Sequence, residues 1–370
     1  MLAGALRAAS NALTPPPIKM LEMSMAYHQT ILVHIAQKFK IPDLLASGPL
    51  SAAEVAAKIG SDPVYVERIM YACAANGVFK LVAGPRFVNT ALSAVLRVDH
   101  PNSVRGLVGH NAEDAYPAWG KLADFLSTGP DLSKASIAWD LAFPQYPFAK
   151  DQGGIWAKFE ANPAQEDQFG RAMTSIDSIG GAAMVEDGPF AKFSRVVDVG
   201  GGRGHFVHRI LQAHPQMRGV VVDRAPVVEL AKKAWAAEFA SARGRVQLEV
   251  GDFFDASTIP KGKDGDGYYM RYILHDWPTQ QALDILRNVR AAIGSANATL
   301  LLGECALPDH DTVGVPPAMY QVDIQMMALF GEAQERTPTQ WRTLLEQGGF
   351  EVVGFHPTRS LLHWVEAKPV

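Results

Sequence analysis

Cysteine is nearly absent from this sequence, with only Cys73 and Cys305 among 370 residues. The two lie far apart, each in apolar surroundings. That excludes a disulfide scaffold and a thiolate zinc site and fits a reducing, cytoplasmic compartment. Long apolar runs are missing too: none approaches the roughly 18 to 20 residues that span a bilayer, so no membrane partner is expected. Nor is there an excess of one charge. Lys and Arg number 34 against 38 Asp and Glu, a net of -4, which gives no electrostatic footing for nucleic acid or anionic lipid. Internal repeats and low-complexity tracts are absent. What remains is a globular composition, 48% hydrophobic and 19% charged, in a chain long enough for two domains.

The first twenty residues carry Arg7 and Lys19 and no acid before Glu22, a faint transit-peptide pattern. Two basic residues do not make one, and the segment reads as a flexible or partner-contacting arm stopped by Pro15, Pro16 and Pro17. From Ile18 to Arg97 the pattern is helical, with Ile31, Leu32, Ile35 and Phe39 at helical spacing. Ser51 with Glu54 is a capping-box signal for a helix through Ile59, closed by Gly60. Ser61 or Asp62, followed by Pro63, starts a second helix that runs to Asn76 and Gly77. A ribbon follows, Val78 to Val82 and Phe87 to Asn89, turned at Gly84-Pro85. Helix, turn, helix and hairpin spell a winged helix. Its second helix offers Arg68 and Asn76 against Asp62 and Glu67 and is otherwise apolar, which suits a structural or dimer-forming role better than reading DNA.

Residues 100 to 190 are aromatic-rich connecting helices, the place where a pocket for a flat apolar substrate would be built. From Arg195 the pattern changes to alternating strands and helices. Strands are expected at Arg195 to Val199, Gly219 to Asp223, Val246 to Val250, Gly267 to Arg271, Thr299 to Glu304, Glu351 to Phe355 and Leu361 to Glu366. Such alternation gives a doubly wound, mostly parallel sheet. The last two runs are too close for a crossover and should pair antiparallel. The expected organisation is a winged-helix domain over 1–110, connecting helices over 111–190 and the α/β domain over 191–370.

The first of these strands ends in Asp198-Val199 and runs into Gly200, Gly201, Gly202, Arg203, Gly204 and a helix. Glycines between strand and helix let a ligand approach the backbone and face the helix N-terminus. The dinucleotide fingerprint needs glycine at first, third and sixth places; the sixth falls on His205 or Val207, so NAD and FAD are disfavoured. No Lys-Ser or Lys-Thr follows, so this is not a Walker loop. Asp223 closes the second strand, placed for ribose hydroxyls. Gly251-Asp252-Phe253 closes the third, offering a carboxylate for an adenine amino group and a ring for its face. Asp198, Asp223 and Asp252 together suit a nucleoside without phosphates, and a sulfonium cation tolerates that acidity. His275, just past the fourth strand, lies at the ligand crevice and has the pKa range of a general base.

These residues resemble the plant-type, metal-independent small-molecule O-methyltransferases, a family that includes caffeate- and hydroxyindole-type enzymes and microbial polyketide-tailoring relatives. The resemblance covers nearly the whole chain and is strongest in VVDVGGGRG, GDFF, RYILHDW and ERTPTQWRTLLEQGGF. It implies a winged-helix dimerisation domain with a homodimer, a Rossmann-like catalytic domain, S-adenosylmethionine as methyl donor without a metal, and methylation of a hydroxyl on a small aromatic acceptor in secondary metabolism. By position it implies His275 as general base flanked by Glu304 and Glu335. It implies Gly200, Asp223, Asp252, Phe253 and Arg271 as cofactor contacts, Arg271 reaching the methionine carboxylate. It implies Phe169 and Met173 as one wall for the acceptor and Met326 and Phe330 as the other. Ile176 and Phe330 stand where plant enzymes often carry histidine and asparagine, so a larger, flatter, less polar acceptor than caffeate is expected.

Two other readings stay open. The same fold could use the sulfonium for hydroxylation or a pericyclic step, against which an intact His275, Glu304 and Glu335 argue. The winged helix could serve a DNA-binding regulator, against which the acidic balance argues.

Overall fold

The computed structural model describes residues 13–128, 137–148, 153–310 and 315–370. The first twelve residues of the expected arm fall outside these. The chain divides into two compact units between Ala112 and Glu113.

In the first unit Pro16 and Pro17 do not merely end an arm; they open a helix, Pro16–Ser24. Proline suits the first turn because its missing N–H would have no intrahelical partner there. This helix buries no residue and exposes Ile18, Met20, Leu21 and Met23. The capping box forms as expected: the Glu54 N–H donates to Ser51 Oγ and the Ser51 N–H to the Glu54 carboxylate, starting the helix Ala52–Ile59. Gly60 closes it in the left-handed region at φ 70°. Of the two candidate caps for the next helix, Pro63–Ala75, the structure uses Asp62, which accepts from the Val64 N–H. Strands β2 (Phe79–Val82) and β3 (Arg86–Asn89) pair antiparallel, and a short β1 (Leu50–Ser51) adds to β3. Val55, Val66, Met70, Cys73, Phe79 and Phe87 close the core of this winged-helix unit. The outer face of Pro63–Ala75 presents Val64, Tyr65 and Tyr71 together with Glu67 and Arg68.

The second unit holds a seven-stranded sheet: β4 (Arg195–Val199), β5 (Arg218–Asp223), β6 (Val246–Val250), β7 (Asp266–Arg271), β8 (Thr299–Glu304), β9 (Phe350–Pro357) and β10 (His363–Pro369). Its order is β6-β5-β4-β7-β8-β10-β9. The first five strands are parallel, and β10 runs antiparallel to both β8 and β9. β10 starts later than the apolar pattern places it, because Leu361 and Leu362 belong to a turn. There Thr358 Oγ1 donates to the Leu362 carbonyl and the Leu362 N–H donates to Ser360 Oγ. Valines alternate across the sheet: Val197, Val199, Val220 and Val222 face one core, Val196 and Val221 the other. The helices Thr279–Ile293 and Pro338–Gln347 cover the first face, and His205–Ala213 and Ala225–Ala237 the second. A separate aromatic cluster joins Trp139, Phe159, Met326 and Phe330. Among the described residues no helix is long and apolar enough to cross a membrane.

Strand order reverses between β4 and β7, which opens a crevice at their carboxyl ends. The candidate cofactor residues, His275 and Glu304 lie at that edge of the sheet or in loops leading from it, and Glu335 comes from the connection between the helices Pro317–Phe330 and Pro338–Gln347.

Candidate active site

The glycine loop leaves β4 with Gly200 at φ 78°, Gly202 at 57° and Gly204 at 74°. A Cβ on Gly200 would lie 2.6 Å from Ile273 Cδ1 and 3.6 Å from the Phe253 ring, so the loop, the third strand end and the His275 turn converge here. A Cβ on Gly202 would meet nothing within 4 Å, so the space beside its Cα is open to a ligand. The Gly202 N–H donates to Asp223 Oδ2 at 2.7 Å and the Arg224 N–H to Oδ1 at 2.8 Å. Burial raises the Asp223 carboxyl pKa above the ordinary range, against these bonds. Asp252 is exposed, its Oδ1 accepting from the Phe254 N–H, and Phe253 packs edge-on to Trp277.

Asp198 does not join these acids. It is buried beneath the loop, where Tyr269 Oη donates to its carboxylate at 2.7 Å. A Cβ on Gly201 would strike that carboxylate at 2.7 Å, so the loop rests directly on it. Burial pushes the Asp198 pKa up to about 7. Of the three strand-end acids, Asp198 is buried, Asp223 half-buried and Asp252 exposed, a difference that the period-two pattern does not show.

His275 sits in a one-turn 3-10 helix, Leu274–Asp276, after β7. Glu304, at the end of β8 with no exposed surface, accepts the Ile273 and Leu274 N–H groups on Oε1 at 3.1 and 3.0 Å. Arg336 donates to the Leu274 and Trp277 carbonyls at 2.9 and 3.1 Å. The turn is therefore held on its amide side by a buried anion and on its carbonyl side by a buried cation. His275 Nδ1 lies 2.7 Å from Glu335 Oε1 and 3.7 Å from Glu304 Oε2; Nε2 lies 3.4 Å from Asp276 Oδ1. The two acids thus differ: Glu335 hydrogen-bonds the ring, whereas Glu304 caps its turn and acts on it by charge. Burial disfavours a charged ring, but the negative charges of Glu335, Glu304 and Asp276 outweigh it and push His275 up to about 10. Glu304 is pushed up to about 7, by burial first, with His275 pulling it down. One ligand atom from each of His275, Glu304 and Glu335 lies within 4.8 Å of the others, a grouping that could hold a metal ion.

Arg271, at the end of β7, is engaged. Its Nη2 donates to His205 Nε2 at 3.1 Å and lies 3.3 Å from Asp177 Oδ1, and its guanidinium lies 4.1 Å over the Phe206 ring. On the acceptor side, Phe169 stacks on Phe159 at 4.8 Å and meets Trp156 edge-on at 5.9 Å. Trp156 also stacks against Phe330 at 5.8 Å. The indole therefore stands between the two expected walls, with its buried Nε1–H unpaired. Met326 is buried in the same cluster, and Met173 is half-buried on the helix that carries Phe169. Sequence reasoning missed Trp156, Arg336, Asp177 and His205 as parts of this region. Only Arg336 carried a signal, its place beside Glu335 in the ERTPTQW stretch.

A family described as an O-methyltransferase domain matches residues 119–351, and an O-methyltransferase dimerisation domain matches residues 21–99. The chain is 33% identical to 8-amino-8-demethylriboflavin N,N-dimethyltransferase of Streptomyces davaonensis, over 91% of both chains. It is 32% identical to the phenazine O-methyltransferase PhzM of Lysobacter antibioticus, over 95% of this chain and 96% of that one. Among solved structures, an O-methyltransferase from neocarzinostatin biosynthesis, in complex with S-adenosylmethionine and 2-hydroxy-5-methyl naphthoic acid, superposes with a TM-score of 0.73. Identity is 25%, over 92% of this chain and 96% of that chain.

The place of Asp198 gives a prediction. Tyr269→Phe leaves a buried acceptor unpaired and should cost about 1 to 3 kcal/mol of stability, read by urea denaturation. Unchanged stability with weakened cofactor binding would instead put Asp198 at the ligand.

Proposed function

The chain belongs to the O-methyltransferase family, and on that premise we propose that it transfers a methyl group from S-adenosylmethionine to a ring hydroxyl of a flat aromatic acceptor, with His275 as general base. The carrying observation is the 2.7 Å contact between His275 Nδ1 and Glu335 Oε1 at the mouth of the switch crevice. A carboxylate can only accept, so Nδ1 carries the hydrogen and Nε2 is left to take a proton from the acceptor. S-adenosylmethionine supplies the electrophilic methyl of a sulfonium when bound. The residues fit it: the open space beside Gly202, the Asp223 carboxylate tied to that loop, and the Phe253 ring facing Gly200 make a cradle suited to a nucleoside.

A base must be neutral before it acts, yet the surrounding acids hold a proton on His275 to about 10. A sulfonium in the crevice opposes that second positive charge and lowers the ring's pKa, so the base is readied by the methyl donor itself. Glu304 and Glu335 then stabilise the imidazolium formed when the hydroxyl is deprotonated. Attack of an oxygen anion on a cation reduces charge separation, so the dry aromatic cluster favours it and positioning supplies much of the rest.

The acceptor reading rests on Phe169, Met173, Met326 and Phe330 around Trp156, an aromatic lining with few polar groups, and on relatives whose names specify phenazine and naphthoate-type rings. The relative from Streptomyces davaonensis is named for an amine acceptor, so the acceptor screen includes aromatic amines beside phenols. Metal independence is part of the proposal, supported by the commitment of Glu304 Oε1 to two amides and of His275 Nδ1 to Glu335. A homodimer in the cytoplasm completes it, supported by the matching dimerisation domain and the exposed apolar residues of Pro16–Ser24 and Pro63–Ala75.

His275→Ala should lower turnover by on the order of 10² to 10⁴ while still binding S-adenosylhomocysteine; near-normal turnover would remove histidine from the mechanism. By NMR titration, the His275 ring of the free protein should hold its proton well above pH 7. S-adenosylmethionine should lower that pKa and S-adenosylhomocysteine, whose sulfur is uncharged, should not; equal effects of the two would refute sulfonium control. Turnover should survive EDTA, and a loss restored by a divalent ion would replace the metal-free reading.

A further inference from the structure

The helix Pro163–Glu186 carries Phe169, Met173 and Asp177 four residues apart, so the three share a face. Asp177 is buried, 3% exposed, within a 24-residue helix. Its Oδ2 accepts from Arg209 Nε at 3.0 Å and its Oδ1 lies 3.3 Å from Arg271 Nη2. Arg209 lies four residues after His205 on the helix that follows the glycine loop, and Arg271 ends β7. The carboxylate therefore ties the wall helix to both elements that frame the cofactor crevice.

His205 adds no charge. Burial pushes it down to about 3, helped by Arg271, Arg203 and Arg209, while Asp177 works the other way. It is neutral, and it accepts from Arg271. Of the two guanidinium groups on the Asp177 carboxylate, Arg209 is about one-third exposed to water, whereas Arg271 is nearly buried. His205 and Asp177 both engage Nη2 of Arg271, which leaves its other guanidinium N–H groups for an anionic ligand. The anion available to a nucleoside-sulfonium ligand is the carboxylate of its amino-acid arm.

We infer that Asp177 is a positioning residue for the cofactor's amino-acid end: it holds Arg271, between His205 and the Phe206 ring, in the pose that receives that carboxylate. The inference rests on the S-adenosylmethionine reading above. It adds that the acceptor wall and the cofactor clamp are parts of one helix face, so Phe169 and Met173 are set in register when the arginine is engaged. The Gly181 position supports a fixed carboxylate, since a Cβ there would lie 2.0 Å from Asp177 Oδ1.

The test is binding of two probes to the full chain by calorimetry: S-adenosylhomocysteine, which has the amino-acid arm, and 5′-methylthioadenosine, which lacks it. Asp177→Asn should weaken the first on the order of tenfold, the scale of one charge-assisted hydrogen bond, and the second by no more than about twofold. The double variant Asp177→Asn with Arg271→Gln should bind S-adenosylhomocysteine no worse than Arg271→Gln alone. If Asp177→Asn does not fold, Asp177→Glu, which keeps the charge but displaces it, should show the same split in smaller degree. Equal weakening of both probes, no weakening of either, or additive losses in the double variant would overturn the inference while leaving the cofactor reading intact. Wild-type protein that binds neither probe would overturn both.

Discussion

A carboxylate with no exposed surface, Glu304, is the constraint on which the active end of the sheet depends. A bare carboxylate there would carry a desolvation cost of several kcal/mol. Two backbone N–H groups of the following turn meet one of its oxygens, and those amides are the ones that place His275. Arg336 then returns the favour on the carbonyl side of the same turn. The turn has that shape because a charge must be solvated by it, and the histidine is presented as a consequence. This is the logic of preorganisation: the groups that act on the substrate hold their positions before it arrives, so little is lost in ordering them.

The crevice is divided by sign. Around His275 the acids prevail, with Glu304, Glu335 and Asp276 all within 3.7 Å of a ring nitrogen. Away from His275 the Arg271 guanidinium, nearly buried and facing Asp177, supplies the cation. A zwitterionic sulfonium ligand has the matching polarity, positive at sulfur and negative at its carboxylate. Tyr272 lies between the two regions, its ring 5.5 Å from both the His275 ring and the Arg271 guanidinium. Complementary charge at two points fixes the orientation of such a ligand, where a uniformly acidic crevice would only attract it.

Local features of the fold were legible from residues alone. Ser51 with Glu54 specified a capping box, Pro63 a helix start, and runs of valine specified strands buried on both faces, because each of these signals spans only a few residues. The doubly wound sheet and its antiparallel end followed. Pairings between distant residues were not legible. Nothing near Asp198 announces Tyr269, 71 residues away, yet that hydroxyl turns a supposed ligand contact into the support of the loop. Asp177 carries no local signal, and its meaning depends on Arg209 and Arg271, which come from other elements. Trp156 was one of many aromatics in the connecting segment until stacking placed it between Phe169 and Phe330.

Backbone strain marks the same place as the buried charge. Tyr272 has φ 58°, one of two described non-glycine residues in the left-handed region, where a side chain is disfavoured by about 1 to 3 kcal/mol. Its N–H donates to the Gly303 carbonyl of β8, so the residue is still joined to the sheet when the chain turns out of it. A chain leaving β7 in extended form would carry the following amides away from the neighbouring strand. The left-handed step instead brings the Ile273 and Leu274 amides back to Glu304, and those two bonds to a charged acceptor offset the strain. Glycine would relieve the backbone at this position but would remove the ring that lies beside both His275 and Arg271. The strained tyrosine, the buried glutamate and the presented histidine are thus one arrangement, and none of the three is stable in its observed state without the others.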